Sequence, residues 1–279
     1  MGAVLALLSS VLWGSGDFLG GSLSRRAHPV AVMGAAQGLA ALGLLAIAVA
    51  SGSLGATGYL PWAIASGAVG VVALGSFYSA LADGTMGVVA PIASTGVALP
   101  VVVGLVRGDR PSPAQAVGIA AAVVGVVLAT NPGRDVHPDD RHPLRPLLLA
   151  GLAGAGFGTG LVLVAGGARH SVVMTLLVMR VVNALTSTAL LATVLRSAPR
   201  PKGRELAPLA LIGGTDAAAN GLYALATRTT LLSVAAVLAS LYPAVTALLA
   251  RRFHAERLRP VQAAGVLTIL AGVVLIAAG

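Results

Sequence analysis

Uncharged apolar runs recur along the chain with short polar punctuation between them. Ten can be delimited, at about 3 to 23, 29 to 50, 60 to 82, 85 to 106, 113 to 130, 146 to 166, 171 to 195, 206 to 227, 232 to 250 and 260 to 278. An α-helix needs about 20 such residues to cross a hydrocarbon core of about 30 Å, whereas a barrel strand needs only about 9 to 11. The pattern therefore predicts an all-α integral membrane protein with ten transmembrane helices. The one sustained hydrophilic stretch, NPGRDVHPDDRHPLR at 131 to 145, is rich in proline and charge and predicts a loop at mid-chain.

A polar stretch at the centre prompts a search for an internal repeat. At an offset of 147, DRPSPAQAVG (109 to 118) lies over ERLRPVQAAG (256 to 265), so that acid, Arg, Pro, Gln and Gly match in register. Pro61 maps onto Pro208 and Gly125 onto Gly272 at the same offset. Further back the register slips by a few residues, yet WGSG at 13 still lies over FGTG at 157. These matches divide the chain into an N-terminal five-helix repeat (1–133), a connecting loop (134–145) and a C-terminal five-helix repeat (146–279). Five is odd, so the second copy enters the membrane from the opposite side, which predicts two inverted repeats of five that rock about a site near the midplane.

Composition agrees with a bilayer as solvent: 57% of the 279 residues are hydrophobic, only 10% are charged, and the mean hydropathy is +0.91. Soluble domains carry about 25% charge. The net charge of +9 sits in short loops without interleaved aromatics, which argues against nucleic acid and for headgroup-facing loops. No cysteine is present, which excludes disulfides and thiolate chemistry. The first run lacks a basic leader and is followed by Arg25 and Arg26, a pattern unlike a cleaved signal peptide. Loops after odd-numbered runs hold 13 Lys or Arg, and those after even-numbered runs hold 4. The positive-inside rule then places the odd loops in the cytoplasm and both termini outside.

Polar residues inside the apolar runs are the candidates for chemistry. Asp17 stands in WGSGDFLGG, where a buried carboxylate costs at least about 2.5 kcal/mol on insertion scales and marks function more often than packing. Trp13, Gly14, Gly20 and Gly21 share its helical face, and Gly16 with Gly20 forms a G-x-x-x-G that permits a close crossing. In the seventh run Arg180, Asn183 and Ser187 recur at helical spacing, and in the eighth Asp216, Asn220, Tyr223 and Thr227 do the same. Both stripes should face inward, with Arg180 paired to Asp216 or to Asp17. The carboxylate left over would be the titratable group that proton coupling needs. Ser76 and Tyr78, Ser94 and Thr95, and Ser240, Tyr242 and Thr246 add hydroxyls, while Pro91, Pro100 and Pro243 predict kinks. Trp13, Asp17, Tyr78, Thr95, Arg180, Asn183, Asp216, Asn220, Tyr223 and Tyr242 form the expected substrate and proton site. Asp109 and Glu256, beside Arg110 and Arg257, are expected to cap their own helices. The five histidines show no zinc spacing, and no metal or other cofactor is expected.

The Trp13-Gly14 pair, the acidic-Arg turn before the last helix of each half (Asp109-Arg110, Glu256-Arg257) and the Gly-rich closing helices resemble the EamA-type members of the drug/metabolite transporter superfamily over the whole chain. The resemblance implies a multi-pass protein of the cytoplasmic membrane, not an enzyme, that moves a small metabolite, amino acid or drug. It has no ATPase of its own, with efflux the expected direction and a monomer or homodimer the expected state. Many relatives carry basic residues at both termini, which this chain lacks, so orientation rests on the loop count. Two rivals remain. GSGD at 14 to 17 matches the G-x-G-D of intramembrane aspartyl proteases, with Asp216 as partner, although Thr215 precedes that acid where Tyr is expected and the acids come in reversed order. A passive channel or facilitator is the other.

Overall fold

The ten apolar runs fold as helices, two of them interrupted, in a computed structural model that describes residues 1–84, 86–129, 144–253 and 260–278. The order is α1 (Gly2–Ser24), α2 (Pro29–Ala50), α3 (Leu60–Asp83), α4 (Met86–Ser94), α5 (Ala98–Val106), α6 (Pro113–Ala129), α7 (Leu144–Ala168), α8 (Val172–Thr193), α9 (Leu206–Ala226), α10 (Leu232–Ala239), α11 (Tyr242–Phe253) and α12 (Pro260–Ala278). No strand occurs among the described residues. Most of the expected central loop, and the turn with Glu256 and Arg257, lie outside them.

Six stretches among the described residues are long and apolar enough to cross a membrane: Gly2–Ser24, Pro29–Ala50, Leu60–Asp83, Leu144–Ala168, Val172–Thr193 and Leu232–Phe253. Shorter apolar helices accompany them. The expected fourth and ninth spans are not continuous. A 3₁₀ turn at Thr95–Val97 separates α4 from α5, and the chain breaks at Ser240 and Leu241 between α10 and α11. Prolines had predicted kinks there, and at both places the α-helical geometry is interrupted for two or three residues. Pro243 falls in the first turn of α11, where a missing N–H does no harm.

Side-chain size is sorted as a bilayer requires. Leu8, Leu42, Leu148, Leu185 and Leu211 are exposed, while alanines such as Ala63, Ala73, Ala153, Ala219 and Ala235 are fully buried. Lipid solvates large apolar groups as well as a protein core does, so close backbone approach decides what goes inside. The chain is a multi-pass membrane protein. Gly96 and Gly158 show the limit: a Cβ on either would collide with the backbone of α7 or of the Thr95–Val97 turn respectively.

Helix starts follow local chemistry. Ser112 Oγ accepts from the Gln115 N–H at 3.2 Å and Gln115 Oε1 from the Ser112 N–H at 3.0 Å, a capping box that opens α6. Ser171 Oγ accepts from the Met174 N–H at the start of α8. Asp109 was expected to cap its own helix, and here the structure corrects the sequence: Ser112 holds that place. Asp109 Oδ2 instead accepts from the N–H and Oγ of Ser233, both at 3.0 Å, and so caps α10 in the other half of the chain.

The helices pack in matched pairs. The closest associations are α6 with α12, α3 with α7, α1 with α9 and α2 with α8, followed by α3 with α8, α1 with α11 and α2 with α9. The pair of α6 and α12 stands apart from the centre, where α1, α2, α3, α7, α8 and α9 meet the two broken helices around a cavity.

Candidate functional site

The cavity measures about 110 Å³ and lies among the middles of its helices. Trp13 and Asp17 reach it from α1, Gln37 from α2, Met179, Arg180 and Asn183 from α8, and Asp216 and Asn220 from α9. Ser94, Val97, Ser240 and Tyr242, at or beside the breaks in the two interrupted spans, complete one side. Departures from α-helical geometry at bilayer depth are tolerated where they line a cavity or are buried in protein.

One wall of the cavity is a closed polar network. Arg180 Nη1 lies 2.7 Å from Asp216 Oδ2 and donates to Gln37 Oε1 at 2.8 Å. Gln37 Nε2 donates in turn to Asp216 Oδ2 at 2.9 Å, so three helices, α2, α8 and α9, are tied in a ring. The second carboxylate oxygen, Asp216 Oδ1, accepts from Trp13 Nε1 at 3.0 Å and from Asn220 Nδ2 at 3.0 Å. Four donors thus converge on Asp216. A charge pair in low dielectric is tolerable only with its remaining lone pairs satisfied, and on the aspartate side they are.

Asp17 stands in the same cavity and is buried, yet among the described residues nothing donates a hydrogen bond or an ion pair to it. The reason lies in its neighbours on α1. Gly14 packs so closely on α11 that a Cβ would strike the Tyr242 carbonyl and Val245, Gly16 abuts Thr215 of α9, and Gly20 abuts the ring of Tyr78. Gly16 and Gly20 therefore serve two different partners, not the single G-x-x-x-G crossing that the spacing implied. Bare backbone lets three elements crowd α1 around the carboxylate without bringing a cation to it.

Seven of the ten expected site residues line the cavity: Trp13, Asp17, Arg180, Asn183, Asp216, Asn220 and Tyr242. Tyr78 and Tyr223 are fully buried behind it. The Tyr223 hydroxyl donates to the Leu161 carbonyl at 3.2 Å, and its ring packs 6.0 Å from Trp13, so it supports the wall. Thr95 is misplaced in the sequence-based set. It is exposed, because the 3₁₀ turn directs it outward, and its hydroxyl is taken by the Ile92 carbonyl at 2.7 Å. The Arg180 stripe faces inward to its end, Ser187 being fully buried, but Ser187 and Thr227 do not line the cavity. Ser187 donates back to the Asn183 carbonyl and packs against Gly34, and Thr227 ends α9. Gln37 was overlooked. Its signal was present, as the one amide in an otherwise uncharged apolar run from 29 to 50.

Comparison with known proteins agrees with a transmembrane helical carrier. The chain belongs to the EamA-like transporter family, in the drug/metabolite transporter superfamily: the family model matches residues 1–131 and again 144–278. A solved structure described only as "Crystal structure of protein" superposes with a TM-score of 0.75 over 98% of this chain and 95% of that one, at 16% identity, a likeness of fold alone. No curated protein sequence matches the chain significantly.

Proposed function

We propose that the protein is a secondary transporter of a small solute, driven by protons through Asp17, in which two inverted five-span repeats alternate access to the cavity. The observation that carries this is the division of charge in the cavity. Arg180 is held by Asp216 and Gln37, which leaves Asp17 as a buried carboxylate without a cation among the described residues. Such a group can take a proton on one side of the membrane and release it on the other, whereas an aspartate fixed by arginine and three further donors cannot. Neutral when protonated and charged when not, Asp17 biases which side of the cavity is open.

The packing supports the inverted repeats. Exchanging the halves sends α1 on α9 into α7 on α3, and leaves α2 on α8 and α6 on α12 unchanged, as a two-fold axis would. The breaks at Thr95–Val97 and at Ser240 and Leu241 fall at corresponding positions of the 147-residue repeat to within a few residues. Broken helices at matched positions are the usual address of a transporter's site. An aspartyl protease would need two carboxylates sharing a proton. Asp216 has an arginine instead, so nothing favours that alternative.

The test uses proteoliposomes and a solute chosen because it raises the melting temperature of the purified protein. Asp17→Asn is expected to abolish uptake driven by a pH gradient while preserving exchange of labelled for unlabelled solute. Uptake with an unchanged pH dependence in that variant would reduce the protein to a facilitator.

A further inference from the structure

Among the described residues, Gly70 on α3 and Gly156, Gly158 and Gly160 on α7 line the cavity without side chains. Packing accounts for the first three. A Cβ on Gly156 would lie 2.6 Å from that of Ala73, one on Gly158 would strike the Gly96 carbonyl, and one on Gly70 would press on Asn183 Nδ2 at 3.1 Å. Gly160 is different, because a Cβ there would meet nothing beyond its own helical turn within 4 Å among the described residues. Its counterpart when WGSG is laid over FGTG, Gly16, has no such space: a Cβ on it would lie 2.7 Å from Thr215 Oγ1. Glycine weakens a helix interior relative to alanine, so one that no close approach requires calls for another reason.

The open space belongs to the cavity and not to the lipid. Gly160 shares a face of α7 with Ala153, Phe157, Val164 and Gly167, which stand three, four or seven residues away. Ala153, Val164 and Gly167 are buried, and Phe157 lines the cavity. Leu74, Phe157, Leu161 and Val164 make the wall contributed by α7 and its closest neighbour α3 largely apolar, whereas the charged and amide groups of the network come from α1, α2, α8 and α9. The cavity thus has a polar side and an apolar side, and any side chain at 160 would take up part of its about 110 Å³.

We infer that Gly160 determines which solutes fit: the apolar part of an amphipathic solute occupies the space this residue leaves empty, and the missing side chain sets how large that part can be. This rests on the transport role proposed above for the same cavity. One methylene more or less in an apolar pocket changes selection by about 10–200-fold, so a single methyl group at 160 is enough to disfavour the largest solutes that the parent admits. Alanine here leaves the fold intact, and longer side chains close the cavity stepwise.

Because the chain has no cysteine, one introduced thiol can measure the cavity without knowledge of the solute. Ser240 lines the cavity and its hydroxyl donates to the Val237 carbonyl of the same segment at 2.8 Å, so Ser240→Cys is the reporter. Purified full-length protein is treated with methyl, propyl and benzyl methanethiosulfonate, and the labelling rates are read by intact mass. Adding Gly160→Ala, Gly160→Val and Gly160→Leu in turn should progressively slow the largest reagent that labels the parent, by at least about tenfold with leucine, and smaller reagents less. Without the reporter, Gly160→Ala should melt no lower than the parent, while Gly156→Ala, which collides with Ala73, should melt lower. If the longer side chains prevent folding, the alanine variant decides by the ratio of the rates for large and small reagents. An unchanged ratio, or a lower melting temperature for Gly160→Ala, would overturn the inference. A reporter that no reagent reaches in the parent would overturn the cavity as a transport site and the size role with it. Graded labelling without proton-driven flux would instead overturn the proton coupling and leave the size limit standing.

Discussion

Asp216 and Asp17 face one cavity from α9 and α1, and the protein treats them in opposite ways. Asp216 collects Arg180, Gln37, Trp13 and Asn220, donors from four helices, and in doing so binds α1, α2, α8 and α9 together. Among the described residues Asp17 collects none, because the glycines around it bring backbone and aromatic rings instead of donors. The same side chain is thus a structural anchor in one place and, among the described residues, an unpaired carboxyl in the other. What separates them is the reach of long polar side chains from neighbouring helices, not depth in the bilayer.

The comparison can be broken most severely at Arg180. Arg180→Met strands Asp216 among its remaining donors and should cost about 3–5 kcal/mol. Recovery of folded protein from membranes would fall sharply, and adding Asp216→Asn to the same chain should restore much of it. Trp13→Phe removes one donor to the charged Asp216 and should cost about 1.5–3 kcal/mol, seen as a lower melting temperature. Asp109→Ala deletes the cap on α10 and should cost about 1 kcal/mol, without altering the network around Arg180. Asp17→Asn keeps the shape of a carboxyl that no described residue holds, so thermal stability should change little or rise, in contrast to Asp216→Asn, which leaves Arg180 without its counter-ion. Thr95→Ala should stay within about 0.5 kcal/mol of the parent, because the residue is exposed and its hydroxyl serves only its own turn.

Much of the architecture was legible in the chain. Each of the ten apolar runs begins within two residues of an observed helix, since hydrophobic length is a local property that the bilayer reads directly. The buried charges were legible for the same reason, as any acid or base in such a run stands out. The breaks at Thr95–Val97 and at Ser240 and Leu241 were not, because proline marks a weak point without saying whether a helix bends there or stops. Nor was the outward turn of Thr95, which depends on the 3₁₀ geometry of three residues.

By itself, the sequence determined a helical membrane protein, a 147-residue internal match and a short set of polar residues from which any site had to be built. Only the tertiary structure decided which carboxylate the arginine holds, that Gln37 bridges the pair, that Asp109 caps a helix of the other half, and that Asp17 has no cation among the described residues. The partners in the network are separated by 143 residues for Arg180 and Gln37, 179 for Gln37 and Asp216, and 203 for Trp13 and Asp216. Local pattern is set by how each segment meets its solvent. Pairing across such distances is set by which helices pack together, where small residues let their backbones approach, and which side chains are then long enough to meet.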